Sequence, residues 1–149
     1  MRISLHRLGC LALAAALFHT PISRAETPKA PEQAANQPAS DAEPVIVKIS
    51  LAEFEKLRTE PDTVVLDVRT PKEFAAGHVP GAVNIDWHSR QFAEKVEKLD
   101  KSKKYLVHCQ AGTRSAAATR KMGTLGFAHL FDFSGGWAAY AKAGKPVEK

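Results

Sequence analysis

The sequence predicts an α/β fold with a central parallel five-stranded sheet and helices on both faces. Three observations carry this expectation. Strand-like apolar runs alternate along the chain with helix-like segments, the order of β–α–β units. The run Thr63–Val68, TVVLDV, is almost continuously apolar, as a central strand covered on both faces must be. The stretch Tyr105–Ser115, YLVHCQAGTRS, passes from a short apolar run through a compact loop into the alanine-rich segment Ala116–Met122, which favours helix.

The chain has 149 residues, enough for one domain with its own core. Its 44% apolar and 25% charged residues are ordinary for a globular protein. The formal net charge of +5 overstates the basicity, because Arg2, Arg7 and Arg24 lie in the first 25 residues, which hold no Asp or Glu. The remainder is close to balanced and gives no electrostatic case for a nucleic-acid partner.

Residues 1–25 read as a secretory signal peptide. Arg2, His6 and Arg7 form a basic start, and Leu8–Phe18 is an apolar middle, shorter than the roughly 20 residues a bilayer span needs. Ser23-Arg24-Ala25 puts small residues on either side of Arg24, so cleavage is expected after Ala25, with export to the periplasm or the medium and no membrane attachment afterwards. Cleavage removes Cys10 and leaves Cys109 as the one cysteine, so no intramolecular disulfide is expected. Residues 26–43, rich in Pro, Ala, Gln and Glu, read as a flexible tether.

The folded domain is expected over 44–149. Val45–Ile49 reads as a first strand. Ser50-Leu51-Ala52-Glu53 matches a capping box and opens a helix to about Arg58. After the strand at Thr63–Val68, Thr70-Pro71-Lys72-Glu73 opens a second helix, with a cap and a proline at its first position, and Gly77 ends it. Ala82–Ile85 is a third strand. Ser89–Leu99 carries Phe92, Val96 and Leu99 at helical spacing. Lys104–His108 is a fourth strand, followed by the Cys109 loop, a helix from Ser115 to about Leu125, and Gly126 as its cap. Ala128–Phe133 is a fifth strand, and Gly135-Gly136 leads into a helix over Trp137–Lys142.

Ligands of parallel sheets bind beyond the carboxyl ends of the strands. Cys109 stands at one such end, Asp67 and Arg69 at another. Loop N–H groups and the dipole of the following helix favour a thiolate at Cys109, whereas the same local pattern also fits a small buried apolar residue. Two features favour the reactive reading: Gly112 and Arg114 supply flexibility and a fixed cation inside the loop, and Cys109 is unpaired in an exported chain. There is no Gly-rich nucleotide fingerprint and no cluster of metal ligands, so neither cofactor nor metal is expected. His78, His88, His108 and His129 are scattered and read as surface or strand-end residues.

At this point the residues resemble the rhodanese family of thiosulfate-type sulfurtransferases, from Pro44 to the C-terminus. Val65-Leu66-Asp67-Val68-Arg69 with Glu73-Phe74 and Gly77–Ile85 is similar to a first family signature, Cys109–Ser115 to the active loop, and Gly126-Phe127, Gly135-Gly136-Trp137 and Gly144–Val147 to a C-terminal one. The resemblance implies a rhodanese-like domain in which Cys109 is the nucleophile that carries sulfur as a persulfide. Gln110, Ala111, Gly112, Thr113, Arg114 and Ser115 would bind the substrate. It implies thiosulfate as a small-molecule sulfur donor and a thiol, a thiol protein or cyanide as acceptor. Other signature residues read as structural: Arg69 and Glu73 as an ion pair, Asp67 as a brace on the loop through Arg114, and His78 as holding the turn before Pro80. Two other functions compete. One is a sulfur carrier or redox thiol acting on a partner. The other, weaker, is a cysteine phosphatase or arsenate reductase, for which Arg114 stands one position too close to Cys109.

Overall fold

In the computed structural model, residues 44–149 are described; the expected signal peptide and tether lie outside the described residues. The two apolar runs Thr63–Asp67 (β2) and Lys104–His108 (β4) lie in the interior of one sheet and pair in parallel, with Val65 opposite Leu106 and Asp67 opposite His108. Val45–Ile49 (β1), Val83–Asn84 (β3) and His129–Phe133 (β5) complete five parallel strands in the order β1-β5-β4-β2-β3. The expected sheet is thus present.

Two helices begin where the sequence carries capping boxes. Leu51–Leu57 (α1) starts after Ser50, whose side chain is paired reciprocally with Glu53. Pro71–Ala76 (α2) starts after Thr70, paired in the same way with Glu73, with Pro71 at its first position. The others are Phe92–Glu97 (α3), Thr113–Thr124 (α4) and Gly136–Lys142 (α5). Three elements depart most from expectation, and β2, β5 and α5 differ by one residue at one end. β3 is two residues long because the Ala82 N–H is taken by a turn bond to the Val79 carbonyl. α3 starts late because Ser89 and Phe92 close turns back to Asp86 and Ser89. α4 starts two residues early, because Gly112 in the left-handed region (φ 92) caps it and its carbonyl accepts the Ala116 N–H.

Strand alternation sends side chains to two cores, one on each face. Leu66, Val107 and Leu130 pack with Phe92 and Val96 of α3 and Ala118 and Met122 of α4. Val65, Leu106 and Phe133 pack on the other face with Phe54 of α1 and Tyr140 of α5. Helices therefore cover both faces, and β2 and β4 are buried between them, which explains their lack of polar alternation. Among the described residues no helix is long and apolar enough to cross a membrane. The carboxyl ends of β2, β4 and β5 come together at Asp67, His108 and Phe133, which positions the Cys109 loop.

Candidate active site

Cys109 follows the last residue of β4 and is 1% exposed. The connection to α4 is only Gln110, Ala111 and Gly112, and Thr113 and Arg114 already belong to the first turn of the helix. The Gly112 N–H donates to Cys109 Sγ at 3.1 Å. Burial pushes the thiol pKa up, but the N–H groups of Ser115 and Ala111, the Ser115 hydroxyl and the Gly112 N–H outweigh it, so the net position is below that of a free thiol. The N-terminus of a twelve-residue helix adds positive potential at the same spot.

The loop is pinned, and the expectation that Gly112 supplies flexibility is corrected. A Cβ on Gly112 would lie 2.5 Å from the Ser134 carbonyl oxygen, so glycine is there for close approach at a positive φ. The other side of the loop is fixed by the start of α5. The Trp137 N–H donates to the Cys109 carbonyl at 2.8 Å and the Ala138 N–H to the Gln110 carbonyl at 3.0 Å. Gly136 (φ 58) makes this possible, since a Cβ there would sit 2.5 Å from the Cys109 oxygen. Gln110, Ala111 and Thr113 are exposed around the buried sulfur, whereas Gly112 and Ser115 are buried.

Arg114 is held in a way the sequence reading missed. Its Nη1 and Nη2 donate to Glu73 Oε2 and Oε1, both at 2.8 Å. The bonds from Arg114 hold the Glu73 carboxyl far below the usual carboxylate range, against its partial burial and with help from Thr70. The charge of the Cys109 thiolate adds, after Glu73, to what keeps the same guanidinium protonated. Two expected contacts are thereby corrected. Glu73 does not pair with Arg69, because as the third residue of α2 it turns toward the α4 start. Asp67 does not brace the loop through Arg114. On extended chain, Asp67 and Arg69 point to one side and pair with each other: Arg69 Nη2 donates to Asp67 Oδ2 at 2.6 Å, and both side chains are buried.

His108 ends β4, as expected of a strand-end residue, and is fully buried. Its Nε2 is 3.8 Å from Asp67 Oδ2 and lacks a hydrogen-bond partner, and burial pushes its pKa down against the pull of Asp67. His78 steadies its turn, with Nδ1 at 3.0 Å from the Phe74 carbonyl oxygen and its ring stacked on Phe74. His88 and His129 are exposed.

Asp132 on β5 was not singled out from the sequence. It is 1% exposed and its Oδ1 accepts from the Ser115 hydroxyl at 2.6 Å. The available signal was alternation: in HLFDF, Asp132 falls on the same face as the buried Leu130, where an apolar residue belongs.

The model of the Rhodanese-like domain matches residues 50–143. The chain belongs to the rhodanese family. Its relatives include thiosulfate sulfurtransferase 16, chloroplastic, of Arabidopsis thaliana, 39% identical over 93 residues, a likeness that covers 56% of this chain and 78% of that protein. A tRNA uridine(34) hydroxylase of Cytophaga hutchinsonii is 37% identical over 60% of this chain but only 30% of its own length, so the likeness is confined to part of that protein. Among solved structures, a rhodanese-related protein from Thermoplasma volcanium superposes with a TM-score of 0.61 and 32% identity, covering 68% of this chain and 97% of that one. The rhodanese domain thus has sulfurtransferases among its relatives, and its pinned loop surrounds the single cysteine of the described residues.

Proposed function

We propose that the protein is an exported sulfurtransferase that moves sulfane sulfur from thiosulfate to a thiol through a persulfide on Cys109. The observation that carries this reading is the convergence of the Ala111, Gly112 and Ser115 N–H groups on a buried sulfur at a helix N-terminus, which lowers its pKa despite burial. The Cys109 thiolate attacks the outer sulfur of thiosulfate. The sulfur–sulfur bond of the donor breaks with its electron pair leaving on sulfite, and the negative charge of the thiolate passes to the new terminal sulfur. An acceptor thiolate then attacks that sulfur, leaves as a persulfide and returns the Cys109 thiolate; cyanide would leave as thiocyanate. The loop N–H groups stabilise the anion in both states without reorganising. Arg114 has donors left after Glu73 is served, and these suit the sulfonate of the donor. Its engagement by Glu73 and its five-residue spacing from Cys109 speak against phosphate ester as substrate.

Incubation with thiosulfate should add one sulfur atom to the intact mass at Cys109, and Cys109→Ser should abolish both this gain and thiocyanate formation while leaving the thermal midpoint near wild type. Normal turnover by Cys109→Ser would sink the proposal. A persulfide that forms without steady-state turnover on thiosulfate and small thiols would favour a carrier that serves a partner protein. For the export proposal, N-terminal sequencing of the protein from an exported fraction should begin at Glu26.

A further inference from the structure

The Ser115 hydroxyl has one proton and several claimants. Asp132 Oδ1 lies 2.6 Å from its oxygen and the Gly112 carbonyl 3.0 Å, and the same hydroxyl stabilises the anion of Cys109. Nothing in the sulfur chemistry above employs Asp132, yet a carboxylate buried to 1% exposure is costly to keep. We propose that Asp132 is a positioning residue for the sulfur site, acting through Ser115 to decide whether that hydroxyl donates to the carboxylate or to the sulfur of Cys109. When Asp132 is ionised it competes for the Ser115 proton, and the hydrogen bond from that hydroxyl to the sulfur is weakened. When Asp132 is protonated, its own O–H donates to Ser115 Oγ, and the Ser115 proton is free for the thiolate or the persulfide anion.

The surroundings make both states accessible. Burial pushes Asp132 up from the ordinary range, while the bond from Ser115 and the charges of Lys48 and Arg120 pull it down. Lys48 stands opposite it on β1, Ser115 and Arg120 face it from α4, β4 brings apolar Val107 alongside, and Cys109 lies beyond Ser115. This inference rests on Cys109 being the activated thiol, so its test reads thiol chemistry directly and needs no sulfur donor.

The experiment is alkylation of Cys109 by iodoacetamide, a neutral reagent, followed against pH. Asp132→Asn keeps the size, removes the proton-accepting carboxylate and donates an amide N–H to Ser115 Oγ. Below the thiol pKa it should alkylate about tenfold faster than wild type, the worth of one hydrogen bond to a charged sulfur. In a Ser115→Ala background the same change should alter the rate less than about twofold, and Ser115→Thr, which keeps a hydroxyl, should restore the response. An unchanged rate in Asp132→Asn overturns the inference. So does an equal gain without the hydroxyl, since the carboxylate would then act by charge alone. A wild-type Cys109 that titrates as an ordinary free thiol overturns the activated-thiol reading itself, and this shows before any variant is compared. Should the Asn variant fail to fold, Asp132→Ala also removes the acceptor and is read with the same expectations.

Discussion

Glu73 Oε2 accepts from the Thr70 N–H at 3.0 Å and the Thr70 hydroxyl at 2.7 Å, and the same carboxylate receives both Nη atoms of Arg114. Because its pKa in the folded chain lies below the ordinary 4.5, the carboxylate contributes stability that is present above about 4.5 and is lost as pH falls below it. Asp132 has the opposite sign: raised above its ordinary 3.8, it favours the folded chain when protonated and lowers stability as pH rises through its folded value. Glu73→Gln keeps the cap but loses the charge. Its thermal midpoint should fall less than that of wild type between pH 6 and pH 3, a range spanning the usual carboxylate titration; parallel curves would show that the pair adds no stability. Arg114→Lys retains a charge but cannot span both carboxylate oxygens. It should lower kcat/KM for thiosulfate by about tenfold to a hundredfold, with a smaller change in Cys109 alkylation. Equal losses in both readings would mean that Arg114 creates the nucleophile.

At the scale of elements, the loop is shaped between two helix starts, and one glycine separates packing from strain. Gly136 and Gly144 both have positive φ, at 58 and 64, but a Cβ on Gly144 meets nothing within 4 Å. Gly144→Ala should cost only the backbone term, roughly 1 kcal/mol. Gly136→Ala should cost about 3 kcal/mol or more and should slow Cys109 alkylation, because the Cys109 carbonyl must move away from the Trp137 N–H. Equal costs measured by urea unfolding would contradict the clamp. The same contrast explains what could be read in advance. Caps at Ser50 and Thr70, the buried runs of β2 and β4 and the cysteine at a strand end are local patterns, and each stands where the sequence puts it. The Glu73–Arg114 pair spans 41 positions and the Ser115–Asp132 bond 17 positions, and no local period encodes which carboxylate meets which partner. The expected Arg69–Glu73 pair failed for that reason: spacing along a chain is a guide within one helix, and Arg69 precedes α2.

Across the whole molecule, one buried cation ties together the ends of several elements at the site's edge. Arg69, 1% exposed, donates from Nε and Nη2 to Asp67 of β2, from Nη2 to the Gly77 carbonyl at the end of α2 at 2.8 Å, and lies 4.5 Å from the ring centroid of Trp137 in α5. Asn84 of β3 donates to the Asp67 and Arg69 carbonyls, each at 2.9 Å, and His108 of β4 stands 3.8 Å from the Asp67 carboxylate. A buried pair of this kind contributes little net stability against well-packed apolar residues, but removing one partner strands the other charge in the interior. Arg69→Met should therefore destabilise the domain by about 3–5 kcal/mol, and Asp67→Asn should also destabilise it strongly. The double variant Asp67→Asn/Arg69→Met should cost clearly less than the sum, because no uncompensated charge remains. Urea unfolding of the four proteins closes the cycle. Additive costs would mean that the two side chains act separately, through packing against Trp137 and Gly77, and that the pair does not hold the sheet end together.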